Sequence, residues 1–480
     1  MGSINEPSSA SASAAISAAL EAATASYIKS NPESYRTHQA ASAHLPGGNT
    51  RTVLYTAPFP LTFASAAGAT LTTVDGAVLT DFLSEYTAAI YGHSHAVIRA
   101  AITSALDKGW NYGGHSGNEG RLAELISQRF PAMQMLRFVN SGTEANMVAL
   151  ATACAYTGRN NILLFNKGYH GSTISGRLDT RPAAGKVSLN LPHAFHVATY
   201  NDAESARQTV GALPRDSLAA ILVEPMLGSG GCFRGTPEFL TALRRLADDT
   251  GALLIFDEVM TSRLGPHGLG AAAGPAGVTP DLMTLGKWVG GGMSFGAFGG
   301  RRDIMSWFDP AAGKLEHPGT FNNNVFTMAA GVAGLGVLTP EVLADLNGRG
   351  DRLRQSIDAV LRRHGLGTGY TPSTATTTTG GDAVLPWHPL TDAEHEDPAV
   401  YERYPPMFVT GHGSLLCVHF VGLDKGKLQQ LFWLWMLSRG IWLAFRGFVA
   451  LNIELRDEDV ERFVGAVEGF VEKYGGVLAW

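Results

Sequence analysis

Three short stretches carry side chains able to do chemistry. The run Leu253-Leu254-Ile255-Phe256-Asp257 ends an apolar segment in a carboxylate. Leu- and Ile-rich runs of this kind read as buried strands of a parallel sheet, and the carboxyl end of such a strand is where open α/β sheets bind ligands. A carboxylate there needs a cationic partner. Downstream, Gly286-Lys287 offers an amine that can form an imine. Upstream, Asn140-Ser141-Gly142-Thr143-Glu144-Ala145-Asn146 follows a predicted strand at 135–139 and opens a helix. Glycine permits close backbone approach, and Ser141 and Thr143 hydroxyls with free helix N–H groups suit a phosphate. A carboxylate for a protonated pyridine nitrogen, an amine for an aldehyde and a phosphate turn together are what a pyridoxal phosphate site requires. Each stretch alone also has a plain reading: a cap for Asp257, a solvated lysine for Lys287, a routine N-cap for the turn.

The elements that must position these residues follow from the pattern. Apolar runs at 135–139, 162–165, 219–223, 252–256 and 282–285 alternate with helical stretches that begin at 143 and span 237–250. That alternation predicts a mostly parallel sheet with crossovers. Strands are also expected near 61–63, 71–74, 78–82, 415–420, 441–445 and 448–453, and helices at 95–108, 119–130, 325–362, 428–437 and 457–474. Residues 1–25 read as a low-complexity Ala/Ser segment, with 16–28 able to make a helix. Residues 371–406 are rich in Thr, Gly, Pro and Asp without periodicity, which reads as a lid or an insertion. The expected organisation is α/β: a large doubly wound domain over 76–325, and a smaller α+β domain built from 26–75 and 326–480.

Composition narrows the class. The 480 residues carry 36 Lys+Arg against 42 Asp+Glu, a net charge of −6 with no basic patch, so nucleic acid and anionic membrane are not expected partners. No stretch approaches the length of a membrane span. Cys154, Cys232 and Cys417 are scattered and odd in number, which suggests neither a disulfide framework nor a metal pair and favours a reducing, cytoplasmic setting. His93-Ser94-His95 lacks a third ligand nearby, so no metal site is assigned. Neither a phosphate-binding P-loop pattern nor GxGxxG spacing occurs.

Taken in order, Gly168-Tyr169-His170-Gly171, Asp257-Glu258-Val259, Gly286-Lys287 and Gly319-Thr320, together with the 140–146 turn, resemble the class III (ω) aminotransferases of pyridoxal phosphate fold type I. The resemblance covers roughly 40–475. It implies that Lys287 binds the cofactor aldehyde and moves the substrate proton, and that Asp257 keeps the ring nitrogen protonated. Tyr169 and Val259 would flank the ring. Ser141, Gly142 and Thr143 would hold the phosphate with Thr320 of a second copy, implying a homodimer. Ser229 stands where relatives often have an Asn near the ring hydroxyl.

Within the class, Gly47-Gly48-Asn49-Thr50-Arg51-Thr52-Val53-Leu54-Tyr55 is similar to β-amino-acid (β-phenylalanine) aminotransferases, and the glycine-rich 290–292 to the glutamate-1-semialdehyde aminomutase branch. By that likeness Arg51 and Arg446 would take substrate carboxylates, a task suited to the planar guanidinium fork. The expected activity is amino transfer from an amino acid, with the amino group β to a carboxylate, to a 2-oxo acid such as 2-oxoglutarate or pyruvate. The alternatives are a 2,1-aminomutase, an aminotransferase of ω-amines or α-amino acids, and a non-catalytic binding protein on the same fold.

Overall fold

A computed structural model describes residues 9–174, 191, 193–272, 277–311, 314–366, 390, 394, 397 and 404–478. The 371–406 segment, expected as a lid or insertion, lies almost wholly outside these. Fourteen strands occur among the described residues. They are β1 (Phe63–Ala67), β2 (Thr70–Thr73), β3 (Val78–Asp81), β4 (Met135–Val139), β5 (Asn161–Phe165), β6 (Ala194–Ala198), β7 (Leu218–Val223), β8 (Leu253–Asp257), β9 (Leu282–Gly286), β10 (Gly296–Gly300), β11 (Met407–His412), β12 (Leu415–Phe420), β13 (Ile441–Trp442) and β14 (Phe448–Ala450).

The central sheet has the order β4-β10-β9-β8-β7-β5-β6. Strands β9, β8, β7, β5 and β6 pair in parallel, and β10 runs antiparallel to both β4 and β9. The fold is thus the expected α/β architecture with a mostly parallel sheet. Every residue of β7, β8, β9 and β10 is buried, as a sheet covered on both faces requires. Strand β10 reads Gly-Ala-Phe-Gly-Gly and escaped the sequence reading because glycine is depleted in strands. Here the missing side chains are needed. A Cβ on Gly296, Gly299 or Gly300 would collide with the backbone oxygen of Ser141, Met135 or Asp281.

Two crossover helices follow their sequence signals closely. Gly142–Thr157 starts where the Ser141 hydroxyl accepts from Glu144 N, and Pro237–Thr250 starts where Thr236 accepts from Phe239 N. The single helix expected over 325–362 is instead two, Val325–Val337 and Pro340–Arg363, meeting at a 74° bend. Thr339 caps the second helix and Pro340 occupies its first turn, a start signal inside an apolar run. The described part of the low-complexity beginning lies in one helix, Ser9–Ser30. It buries Ile16 and Tyr27, and the Tyr27 hydroxyl donates to Phe59 O at 2.7 Å. Among the described residues no single helix is long and apolar enough to cross a membrane.

A second sheet, β1-β2-β3-β13, pairs β13 in parallel with β3, so the chain's early segment and its last third share hydrogen bonds. The chain leaves β3 through an unusual turn. Ser84, Glu85, Tyr86 and Thr87 have φ of 48°, 46°, 52° and 83°. The left-handed region costs a non-glycine residue about 1–2 kcal/mol, so four in succession need a strong clamp. Asp81, buried, supplies it: Oδ1 accepts from Leu83 N (2.7 Å) and Ser84 N (2.9 Å), and Oδ2 is bonded to His93 Nε2 (2.8 Å). Ser84 Oγ donates to Ala450 O, and Asn452 Nδ2 donates to Ser84 Oγ and Asp81 O.

Candidate active site

Asp257 closes β8 as predicted and is buried. Three donors converge on it. Asn146 Nδ2 (2.7 Å) and His170 Nδ1 (2.8 Å) reach Oδ2, and Val259 N reaches Oδ1 (3.0 Å). This is the pattern of an acceptor-only carboxylate. Asn146 also donates to His170 O at 3.0 Å and accepts from Thr284 Oγ1 at 2.7 Å. The carboxylate is therefore tied to the helix Gly142–Thr157, to the 168–171 turn and to β9. Glu224, also buried, accepts from Tyr169 N (2.9 Å) and Gly228 N (2.8 Å). Burial lifts its pKa to about 7, with His170 opposing and Asp257 adding to the rise.

The helix start lies beside this carboxylate. Glu144 N is satisfied by Ser141 Oγ and Ala145 N by Ser141 O, which leaves the N–H groups of Gly142 and Thr143 as the first-turn donors without a partner among the described residues. A Cβ on Gly142 would lie 2.7 and 2.8 Å from the Val259 methyls. One on Gly286 would lie 3.1 Å from Val259 Cγ1 and 3.5 Å from Gly142 N. Two glycines and Val259 thus bring the helix N-terminus against the residue that precedes Lys287.

Lys287 follows β9 with φ 57°, strain of a kind that clusters at functional sites. Burial pushes its amine down to about 8. The Arg51 guanidinium lowers it further and Arg446 adds to this, while Glu85 and Asp257 oppose. Arg51 and Arg446 each stand 5.5 Å from the centroid of the Tyr86 ring, and Arg51 Nη1 is paired with Glu85. Tyr86 itself is stacked on Phe448, its hydroxyl donating to Val53 O at 3.2 Å. Residues far apart in sequence therefore form one cluster, two guanidiniums, one carboxylate and a shared aromatic ring, near enough to Lys287 to shift its amine.

A model of the family described as aminotransferase class-III matches residues 55–365. The chain belongs to the class-III aminotransferases. The beta-phenylalanine transaminase of Variovorax paradoxus is 44% identical over 476 residues, covering 97% of this chain and 98% of that one. A solved structure of a β-phenylalanine aminotransferase from the same organism superposes with a TM-score of 0.83 at 43% identity, over 96% of this chain and 98% of the other. A glutamate-1-semialdehyde 2,1-aminomutase of Methanosarcina acetivorans is 38% identical over 70% of this chain and 80% of its own. A transaminase solved with PLP bound matches at 29% identity and TM-score 0.78, over 92% and 98% of the two chains.

Pyridoxal 5′-phosphate is the cofactor of this family, and the site fits it. Asp257 offers a carboxylate to a ring nitrogen, Lys287 an amine with no hydrogen bond or ion pair among the described residues, and Gly142 and Thr143 open N–H groups to a phosphate. Val259 donates its N–H to Asp257, and Tyr169 precedes His170, whose ring meets the same carboxylate. Tyr169 is half-exposed, and its N–H is held by Glu224. Ser229 follows Gly228 in the turn after β7 and is partly buried. Thr320 is exposed beside Phe321, which is 57% exposed, in the loop whose Asn322 side chain accepts from Asn140 Nδ2 at 3.1 Å.

The structure adds residues that the sequence did not single out. Asn146 and Thr284 had the ordinary look of helix and strand residues, and His170 was not chosen over a structural role. Glu85 and Tyr86 carried no motif. His93, considered for metal binding and declined, spends Nε2 on Asp81. The tight fit at Gly142 makes a direct prediction. Alanine is normally favoured over glycine in a helix, yet Gly142→Ala should destabilise this protein by about 1–3 kcal/mol through overpacking against Val259. Thermal unfolding of the cofactor-free protein measures it, and an unchanged or raised midpoint would refute the packing.

Proposed function

We propose that this enzyme moves an amino group from a β-amino acid to a 2-oxo acid such as 2-oxoglutarate or pyruvate, as a cytoplasmic homodimer. The observation that carries the substrate reading is the pair of guanidiniums, Arg51 and Arg446, on one ring near Lys287. Two planar forks suit carboxylates at two distances from one reacting carbon. The 44% identity to a beta-phenylalanine transaminase supports an amino group β to the carboxylate.

When bound, the cofactor supplies an aldehyde for the amino group and a cationic ring that withdraws electrons. Gly142 and Thr143 N–H groups with the Ser141 and Thr143 hydroxyls would hold its phosphate. Asp257, fixed by Asn146, His170 and Val259 N, would accept the ring N–H. Val259 and Tyr169 would keep water from the two ring faces, with Ser229 nearest the ring hydroxyl. Lys287 would yield its place to the substrate amine and then move the proton at the carbon bearing it. A general base works best with a pKa near the operating pH, and burial with two neighbouring guanidiniums brings this amine to about 8.

The dimer reading rests on surface chemistry. Trp110, Tyr112 and Phe321 are each more than half exposed, and Trp110 packs on Phe326 with ring centroids 6.0 Å apart. Exposed aromatic clusters of this kind mark interaction sites, and a second copy over them would carry Thr320 toward a neighbouring phosphate turn. The three cysteines are free, which suits a reducing compartment.

Two measurements test the reading. Mixed with a β-amino acid and no acceptor, the cofactor-loaded enzyme should release one 3-oxo acid per site and stop, resuming when 2-oxoglutarate or pyruvate is added. Continued conversion of the donor without an acceptor would identify a mutase instead. Second, uptake of pyridoxal phosphate by the cofactor-free protein needs a neutral Lys287 amine. Because its pKa is lowered, the uptake rate should rise with pH and level off above about 8. A rate still climbing toward the ordinary lysine range near 10.5 would contradict the assignment, and Lys287→Ala should abolish turnover.

A further inference from the structure

The geometry points to Glu85 as a specificity-determining residue: a positioning residue that tethers Arg51 by one edge so that its other edge faces a substrate carboxylate. This deepens the proposed function and rests on Arg51 being a carboxylate-binding group.

Three independent observations converge on Glu85. The first is its contact. Arg51 uses Nη1 alone on Glu85, and no other hydrogen bond of its guanidinium is found among the described residues. Guanidinium has five donors in a rigid fork, so this pairing leaves an edge open for a second, two-pronged carboxylate contact. The second is the Tyr86 ring, next in sequence, which lies 5.5 Å under both Arg51 and Arg446. Tether and platform therefore come from consecutive residues of one turn. The third is the backbone. Glu85 and Tyr86 stand at φ 46°, ψ 46° and φ 52°, ψ 48°, in the region that favours glycine. Held backbone strain marks positions where a side chain is kept for what it does. Ser84 and Thr87 share the strain, and Glu85 and Tyr86 are the two of the four whose side chains meet Arg51.

The rest of the turn reads as the device that holds Glu85 still. Asp81 accepts from Leu83 N and Ser84 N, Asn452 clamps Ser84 Oγ, and Ser84 is fixed to Ala450 O. Arg51, in contrast, sits between two short helical turns, Pro46–Gly48 and Thr52–Leu54, and is itself partly exposed. A long side chain there would lose rotamer freedom when a substrate arrives. Pairing with Glu85 and resting on Tyr86 order it beforehand, which is how preorganisation raises affinity.

The test uses the cofactor-loaded enzyme and glutarate, a dicarboxylate with no amino or oxo group to react. Glu85→Gln removes the charge at constant size. Glu85→Gly removes the side chain and suits the backbone. Both should weaken glutarate by about two- to fivefold in calorimetric titration, the range of a partly exposed ion pair. Both should also raise KM for pyruvate while leaving kcat at saturation nearly constant. Glu85→Gly should not lower the thermal midpoint, because glycine relieves the left-handed strain. In an Arg51→Gln background neither substitution should weaken glutarate further, as coupled residues in one contact require. Equal or tighter glutarate binding in the Glu85 variants would make Glu85 a competitor for Arg51 and overturn the tether. A fall in midpoint together with kcat would make its role structural and overturn it too. If Arg51→Gln alone leaves glutarate affinity unchanged, the carboxylate reading of Arg51 fails, and this inference fails with it.

Discussion

The fold around the site depends on one buried carboxylate. Placing Asp257 at the covered end of β8 is costly unless each oxygen finds a donor, and the donors come from three directions. Asn146 brings the helix Gly142–Thr157, His170 brings the 168–171 turn, and Val259 N fixes the chain just beyond the strand. Thr284 on β9 then holds the Asn146 oxygen. With these contacts made, the helix N-terminus, Lys287 and the carboxylate have little freedom to move relative to one another. Gly142 and Gly286 complete the approach by leaving no side chain between the helix and the strand end. The phosphate turn, the amine and the acid are thus three consequences of one satisfied network.

At the Arg51–Arg446 cluster the constraint is different. Arg51, Arg446 and Lys287 would repel one another, and part of that repulsion appears as the lowered Lys287 amine. Glu85 offsets it and orders Arg51 at the same time. The cost falls on the backbone from Ser84 to Thr87, and the Asp81–Asn452 clamp on Leu83 and Ser84 bears it. Stability given up in the turn is recovered as a fixed charge arrangement around Arg51, Arg446 and Lys287.

Much of this was legible in the sequence because it is local. Strands β4, β7, β8, β9 and β12 are apolar runs bounded by turn residues, and the Asn140–Asn146 turn announces a capped helix. Asp257 reads as a carboxylate closing an apolar strand, Lys287 as an amine following another and Thr143 as part of a helix start, and the structure has them there; each alone also had a plain reading, and their roles came only from the resemblance. What escaped notice is non-local or runs against propensity. Strand β10 is made of glycines because its neighbours press on it from both sides, a fact no local pattern contains. The bend before Pro340 lay inside an apolar run that read as continuous. Asn146, Thr284 and Glu85 acquire their roles only through partners distant in sequence, Asp257 and Arg51 among them. The left-handed turn was invisible for the opposite reason: its sequence, Ser-Glu-Tyr-Thr, contains none of the glycine that such a backbone favours.

The measurement that reaches furthest into this arrangement is nitrogen-15 NMR of the enzyme loaded with ring-labelled pyridoxal 5′-phosphate. If Asp257, held by its three donors, faces the ring nitrogen, that nitrogen should resonate as protonated across the neutral pH range. Asp257→Asn should return it to the neutral position while the cofactor stays bound. A neutral ring nitrogen in the unaltered enzyme, or a protonated one that survives loss of the Asp257 charge, would contradict the role assigned to the carboxylate on which the site is built.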